Sequence, residues 1–202
     1  VKHNTYQYKS KNVASLKDVM QEVGKAAKDI GNAEAALEQF GLYLAAEKAL
    51  VVGKEKLNFD PKITDKMLAD AIKFGRGNAH FQEARKLYKE YNNGMVDFLA
   101  ESGAISKAKA KELKDRGDYV AYYREKDGHI IDEENNLTIG SLKNQAYLKE
   151  LLGGDKSIVN FETGALQNTH MLTDMAMRNV ATKNTAHTLK TLGMAEIRKG
   201  DG

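Results

Sequence analysis

Few side chains in this chain are placed to do chemistry, and each group that is can be tested by spacing. Glu101-Ser102 has the residue types of a glycan-cleaving general acid and its neighbour. That chemistry needs a carboxyl whose pKa is raised in an apolar pocket. Glu101 sits instead at the end of a helical run, with no apolar frame around it, and GALQ at 164–167 stands too far along the chain to complete such a motif. The histidines His3, His80, His129, His170 and His187 are scattered. Only His170 and Asp174, four apart on one helix face, have ligand spacing, and two groups cannot close a metal site. LLGGDKS at 151–157 resembles a phosphate loop, but Asp155 stands where glycine must precede the lysine. The loop 132–143 has the carboxylates of a calcium loop but Leu137 at the glycine position and Lys143 at the closing ligand. We therefore expect no catalytic residue, no metal and no cofactor.

Two groups remain as candidate contacts for a nucleic acid or a protein partner. Lys107, Lys109, Lys111 and Lys114 crowd one short segment, and Tyr119, Tyr122, Tyr123 and Arg124 form an aromatic, basic run. Aromatic rings beside cations can stack bases. The same run can simply pack a strand on helices with its hydroxyls at the rim, and that is the reading we favour. The formal charge of +3 on 202 residues does not by itself call for nucleic acid. The absence of Cys excludes disulfides, a thiolate nucleophile and Cys-ligated zinc. No run of about 18 apolar residues is present, so no transmembrane helix is expected. Val1 in place of Met, the ending RKGDG and the single Pro lead us to expect a fragment of a longer polypeptide.

The elements that must position these residues are mostly helices. Leu16, Val19, Met20, Val23, Ala27 and Ile30 recur at spacings of three and four, and the stripe continues through Ala33, Leu37, Phe40 and Leu44. Ser15 is the expected N-cap; Gly24, Gly31 and Gly41 mark close approaches or a break near Gly31. Asp60-Pro61 turns the chain, and Thr64-Asp65 opens a helix to about Phe74. A long helix over about 78–102 buries Phe81, Ala84, Leu87, Tyr88, Tyr91, Met95, Phe98 and Leu99, with Gly103 as its left-handed end. Ser106 caps a short helix up to Gly117. Tyr119–Lys126 alternates as a strand, Asp127-Gly128 is a hairpin turn, and His129–Ile131 returns. Leu142–Leu152 is helical. The last helix begins at Thr163 or Asn168 and runs to about Leu192, with Leu166, Met171, Leu172, Met175, Ala176, Val180 and Leu189 on its apolar face.

The expected fold is therefore mainly α, with long amphipathic helices packed around a small β-hairpin near 119–131. An N-terminal arm covers 1–12, the helical module with its inserted hairpin 13–192, and a basic tail 193–202.

The order LYLAAEKAL (42–50), DFLAESGAIS (97–106), ELKDRGDYVAYYRE (112–125) and NTHMLTDMAMRNVATKNTAHTL (168–189) resembles the large polyvalent protein associated domains. These are helical modules of very long tailed-phage proteins, notably giant internal virion proteins ejected with the DNA. The most specific piece is GDYVAYYRE, which has Ala121 where the family pattern has Pro. The resemblance covers roughly 30–192. It implies a structural, non-enzymatic module of the DNA ejection apparatus, housed in the capsid or tail and delivered to the host cell on infection. Its partners would be other virion proteins and copies of itself, with DNA as a further contact. Two alternatives are a nucleic-acid-contacting module lining a DNA path and a part of a cell-wall-cleaving enzyme.

Overall fold

Five of the described helices start where a short polar side chain satisfies the free N–H groups of a first turn. Ser15 opens α1 (Leu16–Lys25): its hydroxyl accepts from the Asp18 N–H at 3.2 Å, and the Asp18 carboxylate accepts from the Ser15 N–H at 2.7 Å. This reciprocal pair is a capping box. The short α2 (Ala27–Ile30) stops at Gly31, whose φ is 124°, and Asn32 caps α3 (Ala33–Val52). Thr64 caps α4 (Asp65–Gly77), Asn78 caps α5 (Ala79–Ser102), and Ser106 accepts from Lys109 N–H at the start of α6 (Lys107–Arg116). The last helix, α7, spans Phe161–Thr191. The computed structural model describes residues 14–54, 63–116, 124–126, 129–131 and 161–196.

The protein is mainly helical, as its periodicity predicts. The expected helix over 13–50 is divided at Ala26 and Gly31. Of the three glycines in that run, Gly31 makes the break. Gly41 makes a close approach, a Cβ there falling 2.8 Å from the Phe161 Cβ, and Gly24 faces open space.

The centre of the core is aromatic. Phe40 and Tyr43 of α3, Phe81 and Tyr88 of α5 and Phe161 of α7 are buried together with Val19 and Val23 of α1. The Phe40 ring meets Phe81 at 5.2 Å and Phe161 at 5.1 Å, both edge to face. That geometry sets the positive edge of one ring against the negative face of another. Helix α5 is the hub: α1, α4, α6 and α7 all pack on it. This is why its buried set is wider than the single stripe expected. Phe81, Ala84, Tyr88 and Leu99 are buried as expected, and Leu87, Tyr91, Met95 and Phe98 are half-buried. Asn92, Gly94, Val96 and Ser102 are buried in addition, with Val96 packed against Ala110 and Leu113 of α6 on the side away from the central core.

Of the hairpin expected near 119–131, two short strands are described, and the buried residues of the described core clusters come from helices and the joint at Ala26. Arg124–Lys126 and His129–Ile131 run antiparallel over three residues each, and so short a two-stranded ribbon has little stability of its own. The place beside α5 is filled by α7, which runs parallel to it. Tyr88 meets Phe161, Tyr91 bonds Thr169, and Ser102 meets Asn179 and Lys183. Leu142–Leu152, the arm 1–12 and most of the basic tail lie outside the described residues.

Charged ties hold the helices in register. Glu22 of α1, with a side chain only 13% exposed, receives Lys25 Nζ at 2.5 Å and faces His80 Nδ1 of α5 at 2.7 Å. The Lys25 bond and then the His80 bond hold its carboxyl below the ordinary value of 4.5. A folded-state pKa below the unfolded one stabilises the protein above the unfolded value, and that contribution disappears as the pH falls through the folded value. Glu22→Gln is thus expected to cost on the order of 1 kcal/mol at pH 6 to 7. Urea unfolding should show the difference from wild type shrinking as the pH drops below about 4.5.

Candidate functional site

Of the residues singled out for chemistry or contact, Glu101, Ser102 and Lys107 lie at one corner, where the end of α5, the start of α6 and the middle of α7 meet. Leu99, Leu172 and Ala176 are buried there, with Met95, Phe98, Ala104, Ile105 and Met175 packed around them.

Glu101 is exposed, and Ser102 is 2% exposed. The Ser102 hydroxyl donates to the Leu99 carbonyl at 2.8 Å and accepts from the Ala104 N–H at 3.2 Å. The Ser102 carbonyl accepts from Asn179 Nδ2 at 2.6 Å and Lys183 Nζ at 3.1 Å, both from α7. Gly103, with φ 74°, turns the chain out of the helix. The Glu-Ser pair is therefore the C-terminus of a helix, and α7 caps that terminus from outside. A cation at the negative end of the helix dipole and a donor on an unsatisfied carbonyl are both stabilising. Sequence reasoning found Gly103 but missed Asn179 and Lys183. Their one signal was an Asn and a Lys four apart on a helix rich in uncharged polar residues.

Gly103 has little tolerance for a side chain. L residues disfavour its left-handed backbone conformation, and the flexible end of Lys183 would have to swing aside from an added Cβ. Gly103→Ala is expected to lose about 1–2 kcal/mol in urea unfolding, with Gly103→Asn losing less because Asn tolerates the left-handed region.

The lysine segment is α6. Ala110 and Leu113 are buried. Lys109 Nζ pairs with Glu112 at 2.7 Å, and Lys114 Nζ reaches Asp97 of α5 at 2.6 Å. Lys107 and Lys111 are exposed, with no ion pair among the described residues. An open surface depression beside them is lined by Ala108, Lys111, Glu112 and Asp115. Its mixed charge and open form do not match the concave apolar pocket typical of small-molecule sites. Tyr119, Tyr122 and Tyr123, with 132–143 and LLGGDKS, lie outside the described residues, and Arg124 is described only as backbone.

His170 is exposed, and Asp174 accepts from Arg178 Nε at 2.7 Å. Among the described residues no group of three His, Asp or Glu side chains is placed to hold a metal.

Between α5 and α7 lies a buried polar layer. Asn92 and Asn168 are 5% and 1% exposed, and the Tyr91 hydroxyl bonds Thr169, whose own hydroxyl donates to the Ala165 carbonyl at 2.7 Å. Burial pushes the Tyr88 and Tyr91 phenols above the ordinary tyrosine value. Both stay neutral at physiological pH, and Tyr91 serves as a hydrogen-bonding group, not as an acid.

The chain matches no family model, no curated protein and no solved structure. Among the described residues, no helix is long and apolar enough to cross a membrane.

Proposed function

We propose that this chain is a structural module that works by helix–helix assembly, a segment of a large internal virion protein of a tailed phage within its DNA ejection apparatus. One observation carries the assembly reading. Polar side chains that could do chemistry are used as helix caps and interhelical ties, while the large apolar residues Leu166 and Met177 on the longest helix, and Leu192 just past its end, are left on the surface. Exposed apolar surface on a helix is what a partner helix covers. The virion setting rests on the resemblance of 97–125 and 168–189. Its partners are then other virion proteins and copies of this chain, and its place is inside the capsid or tail until delivery to the host cell.

A second reading, a module lining a DNA path, is favoured by the projection of Lys107 and Lys111 from α6. Against it, Lys109 and Lys114 are each answered by a carboxylate. The exposed position of Glu101 gives the cell-wall-cleaving reading no support.

Sedimentation velocity over a concentration series tests the first reading, and DNA binding as a function of salt tests the second. Self-association is expected, with no DNA binding at low salt. A chain that stays monomeric at high concentration and alongside its flanking protein overturns assembly. Binding that weakens steeply with salt and falls on Lys107→Glu with Lys111→Glu would instead establish the DNA contact.

A further inference from the structure

Helix α7 carries two uncharged stripes on opposite sides, and only one of them is buried. Ala165, Asn168, Leu172 and Ala176 face the body of the protein and are buried. Leu166 was expected on that face, but it is six residues from Leu172, about 240° around the helix. It is 54% exposed. It begins a second stripe: Leu166, His170, Thr173, Met177, Ala181, Asn184, Thr188 and Leu192, at steps of three and four, all exposed. Met177 is 54% and Leu192 65% exposed.

The stripe contains no Asp, Glu, Lys or Arg, in a chain where 29% of residues are charged. The exposed positions of α4 and α5, by contrast, hold Asp65, Lys66, Asp70, Lys73, Lys86, Lys89 and Glu90. The stripe repeats every eleven residues (166, 177, 188 and 170, 181, 192), a period that keeps it on one side of a nearly straight helix. From 166 to 192 it is about 39 Å long.

We propose that this stripe is a seam on which a second copy of the chain docks, α7 against α7, antiparallel about a two-fold axis. The inference rests on the assembly reading and names its surface. Charge selects a second copy as the occupant. Asp174 and Arg178 flank the seam, each about half exposed and paired with each other along the helix. An axis at the height of Ala176 sets Asp174 of each copy opposite Arg178 of the other. The two Met177 side chains meet near the axis. Such self-complementarity is what an isologous contact requires. A strip about 39 Å by 10 Å covers about half of the roughly 800 Å² per partner of a standard interface, so the dimer is weak and reversible.

The test is sedimentation of the full chain, with circular dichroism to confirm folding. Asp174→Arg and Arg178→Asp should each weaken dimerisation at least ten-fold, and the double variant should restore it to within a few-fold. The chain has no native cysteine, so Met177→Cys should give a disulfide-linked dimer on mild oxidation. A mixture of Leu166→Cys with Asn184→Cys, which lies on the stripe near the height that the axis sets opposite Leu166, should link across copies, as antiparallel pairing demands. Wild-type dimers that persist through all the charge variants overturn the seam and leave the assembly reading standing. A monomeric wild type overturns the seam, and one that also stays monomeric alongside its flanking protein overturns the assembly reading with it. A Met177→Cys thiol shielded from reagents in a monomer shows the seam covered by the chain itself, which also overturns the proposal.

Discussion

Phe40→Ala is expected to lower the unfolding free energy by about 3–5 kcal/mol, the range for removing a buried phenylalanine ring. Phe40 is fully buried, and its ring contacts Tyr43, Phe81 and Phe161. Those residues belong to α3, α5 and α7, so the substitution opens a cavity where three helices meet. None of these partners can move in without giving up contacts elsewhere: Phe161 also packs on Tyr88, and Phe81 on Phe74. A domain of this size has about 5–15 kcal/mol in all, so the variant should give up a large fraction of its stability. Urea unfolding followed by circular dichroism would measure the loss. A loss under about 1.5 kcal/mol, the scale of a volume-conserving core swap, would mean that the three helices do not share this ring.

How much of this was legible in the sequence depended on how local each signal was. Caps at Ser15, Thr64 and Ser106 and the left-handed end at Gly103 need only four or five consecutive residues, and all were found. The centre of the core was not, because it depends on which helices meet. Periodicity placed Phe40, Phe81 and Tyr88 on apolar faces, but Tyr43 and Phe161 were not recognised as their neighbours. The aromatic run at 119–123 drew attention because its tyrosines are adjacent in sequence, whereas the rings that build the core are contributed one or two per helix. On α7 the failure was of another kind. A single apolar stripe was sought, and Leu166 was merged into the face that buries Leu172, although the two are about 120° apart around the helix and Leu166 is exposed. The candidate site suffered most, since Ser102 is joined to Asn179 and Lys183 across 77 and 81 residues of chain. No local pattern reports such a bond.

Tyr43 and Gly75 supply the sharpest test of the packing, because the sign of one substitution should reverse. The Tyr43 ring is fully buried, stacked on Phe81 at 6.3 Å, and its hydroxyl accepts from Gln82 Nε2 at 3.0 Å. The same Gln82 amide donates to the Gly75 carbonyl at 2.7 Å, tying α3, α4 and α5 at one point. A Cβ at Gly75 would fall 2.3 Å from the Tyr43 ring. Tyr43→Ala should therefore cost about 3–5 kcal/mol. Gly75→Ala in the wild-type chain should cost about 1–3 kcal/mol through overpacking, reduced by about 1 kcal/mol because alanine is the better helix former. Once the ring is gone, the clash goes with it and the helix preference remains. In the Tyr43→Ala background, Gly75→Ala should thus stabilise the protein by roughly 0.5–1 kcal/mol, the added methyl entering the vacated space. The double-mutant cycle then closes with a coupling of about 1–3 kcal/mol, as expected for side chains in direct contact. Equal destabilisation by Gly75→Ala in both backgrounds would show that something other than Tyr43 occupies the space against α4.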